Sequence, residues 1–278
     1  MQTHTALAAR RRGSTDGEPL PPDVPVLACR GLDVWLGGHQ ILHQIDLTVP
    51  SSQTVALLGG NGSGKTTLVR ALLRLIPHQA GTAELFGQDQ SAFHDWRRIG
   101  YVPQRGQMHA DNATVQEVVS CGRLARRRWF TPAATADTQA VNQALERVGI
   151  SQFGHRQLGT LSGGQQQRAL IARALASHAD LLIMDEPFAA LDVATQASLA
   201  ELFARLQGEG LSILTVLHDL GPMEPLINRA IVLQNGRVIH DGPLTQGPPT
   251  DSGHHHYPET DEVLMRGLEW GPQSDGQE

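Results

Sequence analysis

Residues 59–66 read GGNGSGKT and form a glycine-rich loop between a predicted apolar strand and a predicted helix. In the pattern G-x-x-x-x-G-K-[ST], the glycines let backbone N–H groups approach phosphate oxygens, and the helix N-terminus adds positive potential. We therefore expect Lys65 to reach the β- and γ-phosphates of a nucleotide and Thr66 to bind Mg²⁺. The full predicted phosphate-binding set is Gly59, Gly60, Asn61, Gly62, Ser63, Gly64, Lys65, Thr66 and Thr67.

Lys65 is also the only lysine among the 22 basic residues of the 278-residue chain. Arginine ends in a planar guanidinium group, whereas lysine ends in a compact ammonium group on a flexible aliphatic chain. A site that needs lysine therefore does not accept arginine. Chance survival of a rare residue is the alternative. The surrounding loop favours a phosphate-binding role.

Residues 181–186, LLIMDE, predict an apolar strand that ends in two carboxylates. In nucleotide hydrolases with this kind of loop, the first carboxylate orients Mg²⁺, which assigns Asp185. Glu186 is then placed to polarise the attacking water. The alternative is the start of a solvated loop, but unpaired charge at the end of a buried strand is costly without a cation or a partner.

Residues 161–168, LSGGQQQR, open a second predicted helix. Ser162, Gly163 and Gly164 predict a second anion site at its N-terminus. Because one nucleotide hardly needs two such sites from one chain, this face is expected to meet the γ-phosphate bound by another copy. An ordinary serine N-cap is the alternative, although it does not explain the paired glycines.

Strands alternate with helices along most of the chain, which predicts a mainly parallel sheet covered on both faces. A more helical middle, about 114–177, is predicted as an insert, with Thr114 capping its first helix. The predicted strands are 26–34, 45–49, 54–58, a second strand pair at 82–86 and 99–102, 180–184, 212–217, 230–234 and 237–239. The predicted helices are 68–76, 114–123, 137–148, one from the LSGGQ stretch to 177, and 195–206.

Composition excludes several classes of protein. Aromatic residues make up 4% of the chain and the net charge is −6, so nucleic acid binding is not expected. Two cysteines are too few for a disulfide framework. The apolar runs are far shorter than the roughly 20 residues that cross a bilayer. Residues 1–24 predict a disordered tail, and 243–278 a Gly-, Pro- and His-rich extension.

These motifs together make the chain resemble the ATP-binding subunit of ABC transporters over about 26–242. GGNGSGKT resembles the Walker A loop, LLIMDE the Walker B strand and LSGGQ the signature. Gln104 in YVPQR resembles the Q-loop glutamine, Asp192 in ALD the D-loop and His218 in LHD the switch histidine. The resemblance implies an α/β P-loop NTPase core with an antiparallel β subdomain and a helical insert at about 105–177, in one domain at 25–242.

The resemblance also implies roles and partners. Gln104 would bind Mg²⁺ and sense the membrane partner, Asp192 would couple two halves of a dimer, and His218 would contact the γ-phosphate. Glu186, His218 and Gln104 form the implied catalytic set, with ATP and Mg²⁺ bound. The implied partners are a second copy arranged head to tail, an integral membrane permease and an extracytoplasmic solute-binding protein, at the cytoplasmic face of the membrane.

One position departs from the family pattern. The family stacks adenine on an aromatic side chain, and by register with VWLGGHQIL that position is Leu36, with Trp35 beside it. Either Trp35 substitutes through a one-residue shift, or adenine packs on an aliphatic side chain. A third possibility makes Trp35 a core residue of an edge strand.

Other P-loop classes fit less well. A GTPase needs an Asn-Lys-x-Asp motif, which the single Lys65 excludes. A DNA-maintenance protein would carry a long coiled coil between Gln104 and the signature, and a translation factor would carry two cassettes.

The stretch YVPQR followed by TVQEVVSCGR resembles zinc and manganese importers, with an iron-siderophore importer or a split exporter as alternatives. His240 and the histidines at 254–256 suggest zinc sensing. The alternative is a solvated tail that contacts metal only adventitiously.

Overall fold

The computed structural model describes residues 24–104, 110–126 and 135–244. The predicted disordered tail and the C-terminal extension lie outside these ranges, apart from Val24 and residues 243–244, and so do the histidines at 254–256. Among the described helices, none combines the length and the apolar character that a bilayer crossing requires. The predicted domain boundaries remain predictions.

Ten strands and five α-helices, joined in places by short 3-10 segments, make up the described residues. The strands are β1 (Leu27–Leu36), β2 (His39–Val49), β3 (Thr54–Leu58), β4 (Ala80–Leu85), β5 (Gln88–Asp89), β6 (Ile99–Val102), β7 (Leu181–Asp185), β8 (Ser212–Val216), β9 (Arg229–Gln234) and β10 (Arg237–Gly242). The helices are α1 (Lys65–Leu72), α2 (Val115–Ser120), α3 (Thr135–Arg147), α4 (Gly163–Ala176) and α5 (Val193–Gly208).

The larger sheet has the strand order β10, β9, β3, β8, β7, β6. All its pairs are parallel except the hairpin of β9 and β10. Strands β3, β7 and β8 are buried along their whole length. Parallel strands covered on both faces are mostly apolar along their whole length, as these three are. The predicted α/β fold is confirmed.

The smaller sheet is antiparallel, with the order β2, β1, β4, β5. The predicted pairing of strands at 82–86 and 99–102 is wrong, because β4 belongs to this sheet whereas β6 lies at the edge of the larger one and pairs with β7. Residue pattern identifies a strand but does not identify its partner, which the chain topology decides.

Two hydrophobic clusters lie on opposite faces of the larger sheet. Successive residues of a strand point to opposite faces. Ala56 and Leu58 of β3 accordingly join the cluster that includes α4 and α5. Val55 and Leu57 join the cluster of α1 and the smaller sheet. The sheet is therefore held between the helical insert with α5 on one face and α1 with the antiparallel sheet on the other.

The insert begins at the predicted cap. Thr114 Oγ1 accepts a hydrogen bond from Glu117 N at 3.2 Å, and Glu117 Oε2 accepts one from Thr114 N at 2.8 Å. This reciprocal capping box satisfies two backbone donors that the helix leaves without partners. Helix α2 ends at Ser120 and continues as a 3-10 segment to Arg126, so the α-helix is shorter than predicted.

Candidate active site

The carboxyl ends of three neighbouring strands bring the predicted site residues together. The glycine-rich loop follows β3, Asp185 ends β7, and His218 lies just after β8. Strands β3, β8 and β7 are adjacent in the larger sheet and parallel. Since ligands of such sheets bind outside the carboxyl ends of the strands, this edge is the candidate active site.

Helix α1 begins directly at the loop without a side-chain cap. Its N-cap is Gly64, with a φ of 106°, and no side-chain hydrogen bond closes the helix end. The N-terminal N–H groups of a helix need partners and carry partial positive charge. The first turn of α1 therefore offers donors to an anion, as the pattern predicted.

The loop passes very close to β9. At Gly59, with a φ of 143°, an added Cβ would lie 2.1 Å from the carbonyl oxygen of Leu233. The same Cβ would lie 2.8 Å from Ser63 Oγ, a buried hydroxyl without a hydrogen-bond partner among the described residues. Glycine is required at this position because neither the backbone conformation nor the space admits a side chain.

Gly59→Ala is expected to displace the loop and lower the free energy of unfolding by about 2 kcal/mol, as overpacking typically does. Gly62→Ala is the matched control, since Gly62 has a φ of 77° but nothing lies within 4 Å of its added Cβ. Only the strain of a left-handed residue, about 1 kcal/mol, applies there. Urea unfolding of both variants measures the difference, and equal losses would show that the Leu233 contact is unimportant.

Lys65 lies inside the loop. Its Nζ donates hydrogen bonds to the carbonyl oxygens of Gly59 at 2.6 Å and Gly60 at 2.9 Å. Burial lowers the pKa of the Lys65 ammonium, while the carboxylates of Glu186 and Asp185 act in the opposite direction. A partly desolvated cation beside uncapped helix donors is suited to bind phosphate oxygens.

Asp185 and Thr66 face each other across the site. Thr66 Oγ1 donates to Asp185 Oδ2 at 3.3 Å. Burial raises the pKa of the Asp185 carboxyl, and the hydrogen bond from Thr66 lowers it to a smaller extent. A buried carboxylate beside a hydroxyl is a set of hard oxygen donors, the kind that Mg²⁺ takes. These residues fit the predicted metal.

Glu186 is held between two side chains from distant parts of the chain. Gln104 Nε2 donates to Glu186 Oε2 at 2.7 Å, and His218 Nε2 lies 2.7 Å from Glu186 Oε1, which requires a hydrogen on that nitrogen. Glu186 has a φ of 49°, in the left-handed region that non-glycine residues rarely adopt. Such strain is concentrated at functional sites. The structure thus joins the three residues of the predicted catalytic set.

The predicted anion site at Ser162 and the predicted coupling residue Asp192 both cap helices. Ser162 Oγ accepts from Gln165 N at 3.4 Å at the start of α4. Asp192 Oδ1 accepts from Thr195 N at 2.9 Å at the start of α5. Hydrogen bonds from Thr195 lower the pKa of the Asp192 carboxyl. Ser162 and Asp192 are exposed, whereas Gly164 is buried.

Trp35 and Leu36, the candidates for contact with adenine, lie at the end of β1. Their exposed fractions are 46% and 39%. The pairing of β1 with β4 ends at Asp33, so Trp35 pairs with β2 alone, but its exposure shows that it is not a core residue. That possibility is wrong, and contact of either side chain with adenine stays a prediction.

The family of ABC transporter proteins matches residues 42–189, more than half of the chain. The chain belongs to this family. This ABC ATPase binds nucleotide and hydrolyses ATP, as the motifs predicted. Subunits of the family associate in pairs and act with a membrane permease.

Alignments with relatives cover most of this ABC ATPase. It is 40% identical over 204 residues to the zinc uptake system ATP-binding protein ZurA of Listeria innocua, covering 72% of this chain and 79% of the relative. It is 40% identical over 205 residues to the manganese transport system ATP-binding protein MntB of Bacillus subtilis, covering 73% and 80%. Its fold matches cbiO1 of Clostridium perfringens, part of the ABC transporter complex cbiONQ, with a TM-score of 0.71, 26% identity and coverage of 80% and 89%.

Several residues that support the site carry no sequence signal of their own. Arg173 of α4 donates to the carbonyl oxygen of Tyr101 at 3.0 Å and so holds the strand that leads to Gln104. Leu233 forms the wall of the glycine loop. No motif marks either residue, because Arg173 binds a backbone carbonyl oxygen and Leu233 contributes its own carbonyl oxygen, groups that every residue has. Within the described ranges, no group of three His, Cys, Asp or Glu side chains could hold a metal ion, and His240 lies on β10.

Proposed function

We propose that this ABC ATPase energises the import of a metal ion, zinc or manganese, through a separate membrane protein. The observation that carries the substrate is the 40% identity to ATP-binding proteins named for zinc uptake and manganese transport, over about four fifths of their length. The candidate active site indicates the energy source, since its loop and its acids suit the binding of a nucleoside triphosphate.

The roles of the site residues follow from their chemistry. The N–H groups of the loop and the Lys65 ammonium bind the phosphates of ATP. Glu186 orients the attacking water and accepts its proton. The amide of Gln104 and the imidazole of His218 hold the Glu186 carboxylate in place, and His218, exposed at the site, is free to turn toward the γ-phosphate.

Thr66, Asp185 and Gln104 are the side chains that would hold Mg²⁺. The metal, when bound, neutralises charge on the β- and γ-phosphates of the nucleotide. The Asp185 carboxylate is almost fully buried, and this burial raises its pKa, so a cation at this position stabilises its ionised form.

A second copy of the chain completes the site. Ser162 and Gly163, exposed or half-buried at the start of α4, contact the γ-phosphate that the partner's loop holds. Two such contacts related by a two-fold axis give a head-to-tail dimer with two ATP molecules. Asp192, equally exposed, lies against the other subunit and couples the two sites.

The membrane protein takes up the resulting motion at the cytoplasmic face of the membrane. ATP favours the closed dimer and its hydrolysis favours the open one, which shifts the population of the two states. Gln104 and the helical insert carry this movement to the permease, and an extracytoplasmic solute-binding protein delivers the metal.

Uptake of metal by the reconstituted transporter tests the proposal. The chain is combined in lipid vesicles with the permease and the solute-binding protein of the same transporter, and accumulation of zinc, manganese and a ferric siderophore is followed with ATP. We expect zinc or manganese uptake at least about tenfold above that of a Glu186→Gln complex, which lacks the base. Uptake of the ferric siderophore alone, or export of either metal, would contradict the proposed function.

A further inference from the structure

Helices α4 and α5 approach each other closely at Gly164. An added Cβ at this buried glycine would lie 2.3 Å from the Cγ2 methyl of Thr195. The next atoms are Thr195 Cβ at 3.6 Å and Oγ1 at 3.7 Å, which are ordinary contact distances. One methyl group of Thr195 therefore accounts for the lack of space at Gly164.

The remaining polar groups of Thr195 bind the Asp192 turn. Its backbone N–H donates to Asp192 Oδ1 at 2.9 Å, and its hydroxyl donates to Asp192 Oδ2 at 2.6 Å. Thr195 thus places its methyl against the signature helix and its two donors on the carboxylate of Asp192. Because Thr195 packs against the first turn of α4 and also binds Asp192, we expect movement of one turn to be passed to the other.

A second connection lies one helical turn further along. Arg168 of α4 donates to the carbonyl oxygen of Ser198 at 3.1 Å and to its hydroxyl at 2.8 Å. The same guanidinium donates to the carbonyl oxygen of Val148, just after α3, at 2.7 Å. The first two turns of α4 and α5 are therefore joined at two levels.

We propose that Thr195 is a positioning residue that fixes the signature turn to the Asp192 turn, with Gly164 as its packing partner. Gly164 is thus a glycine because of the neighbouring helix. The proposal rests on the proposed function, in which the signature turn meets the nucleotide of a second copy. Thr195 sets where Ser162 lies relative to Asp192, so that both reach the partner subunit as one unit.

Moving the methyl group from one helix to the other tests this arrangement. In Gly164→Ala with Thr195→Ser, the new Cβ occupies the space that the lost methyl leaves, while the serine hydroxyl keeps its bond to Asp192. The full-length wild-type chain, both single variants and the double variant are compared in three measurements. These are kcat for ATP, the affinity of the monomer for a fluorescent ATP analogue, and dimerisation by gel filtration with a non-hydrolysable ATP analogue, which keeps a dimer closed that ATP hydrolysis would open.

We expect Gly164→Ala to lower kcat at least about tenfold, since small displacements of catalytic groups have large effects on rate. Its affinity for the ATP analogue should change by no more than about twofold, because the phosphate-binding loop precedes α1 whereas Gly164 lies in α4. Thr195→Ser should lower kcat by about threefold or less, and the double variant should recover to the level of Thr195→Ser. Dimerisation should follow kcat. Gly208→Ala is the control, since nothing lies within 4 Å of its added Cβ.

Three results would overturn the proposal. A double variant as impaired as Gly164→Ala would mean that the glycine is needed for the nucleotide, and the proposed function would stand without this inference. A Gly164→Ala variant with wild-type kcat would show that the contact does not position the signature turn. A wild-type chain that does not hydrolyse ATP at all would overturn the proposed function and this inference together.

Discussion

Lys65→Ala is expected to lower kcat/KM for ATP by at least about 100-fold, the scale of losing one preorganised charge at a reacting centre. The substitution removes the cation that lies between the carbonyl oxygens of Gly59 and Gly60 and beside the acids of the site. Lys65→Arg should also lower kcat/KM, because the planar guanidinium group is larger than the pocket that holds the compact ammonium group. Phosphate release and binding of a fluorescent ATP analogue measure both losses.

Arg237→Ala serves as the control for loss of a positive charge, because Arg237 is exposed on β10. Its ATPase activity and melting temperature should match those of the wild type. Hydrolysis by Lys65→Ala at the wild-type rate would show that the loop does not bind the phosphates, whatever its resemblance to other nucleotide-binding loops.

Glu186→Gln is expected to separate ATP binding from hydrolysis. Turnover should fall by about 100-fold or more, the usual contribution of a general base. ATP affinity should be kept, because Lys65, Thr66 and Asp185 are unchanged. Since hydrolysis no longer opens the dimer, gel filtration with Mg-ATP should show a stable species of twice the mass of one chain.

The matched control is Glu146→Gln, which neutralises an exposed acid on α3. It should hydrolyse ATP normally and stay monomeric on the column. Normal turnover by Glu186→Gln would assign Glu186 a structural role. Loss of turnover without a trapped dimer would contradict the head-to-tail arrangement and leave the role of the base intact.

The positions of the loop and of Asp185 were predictable because each motif directly follows an apolar strand. Carboxyl ends of parallel strands meet at one edge, and the contact of Thr66 with Asp185 spans 119 positions of sequence. The hydrogen-bond partners of Glu186 were harder to predict. Motifs predicted that Gln104, Glu186 and His218 belong to one site, but no pattern indicates that both partners would bind the same carboxylate.

Helix ends were predicted less well than helices. Helix α1 begins at Lys65 rather than at 68, because apolar spacing does not detect the polar first turn that follows the loop. Helix α5 begins at Val193 rather than at 195, because Asp192 caps it. The contact of Gly164 with Thr195 could not be predicted, since it depends on the distance between two helices.

The central place of β3 has a consequence for how the chain is made. Its neighbours in the sheet, β8 and β9, begin at Ser212 and Arg229, so their synthesis follows that of Leu58 by more than half of the chain. At ribosomal rates of about 5–20 residues per second, this interval lasts about 10–30 s. For that time the apolar segment Thr54–Leu58 is without both its hydrogen-bonding neighbours. An unpaired apolar strand invites wrong association. The nascent chain is therefore expected to need a chaperone until its last strands emerge.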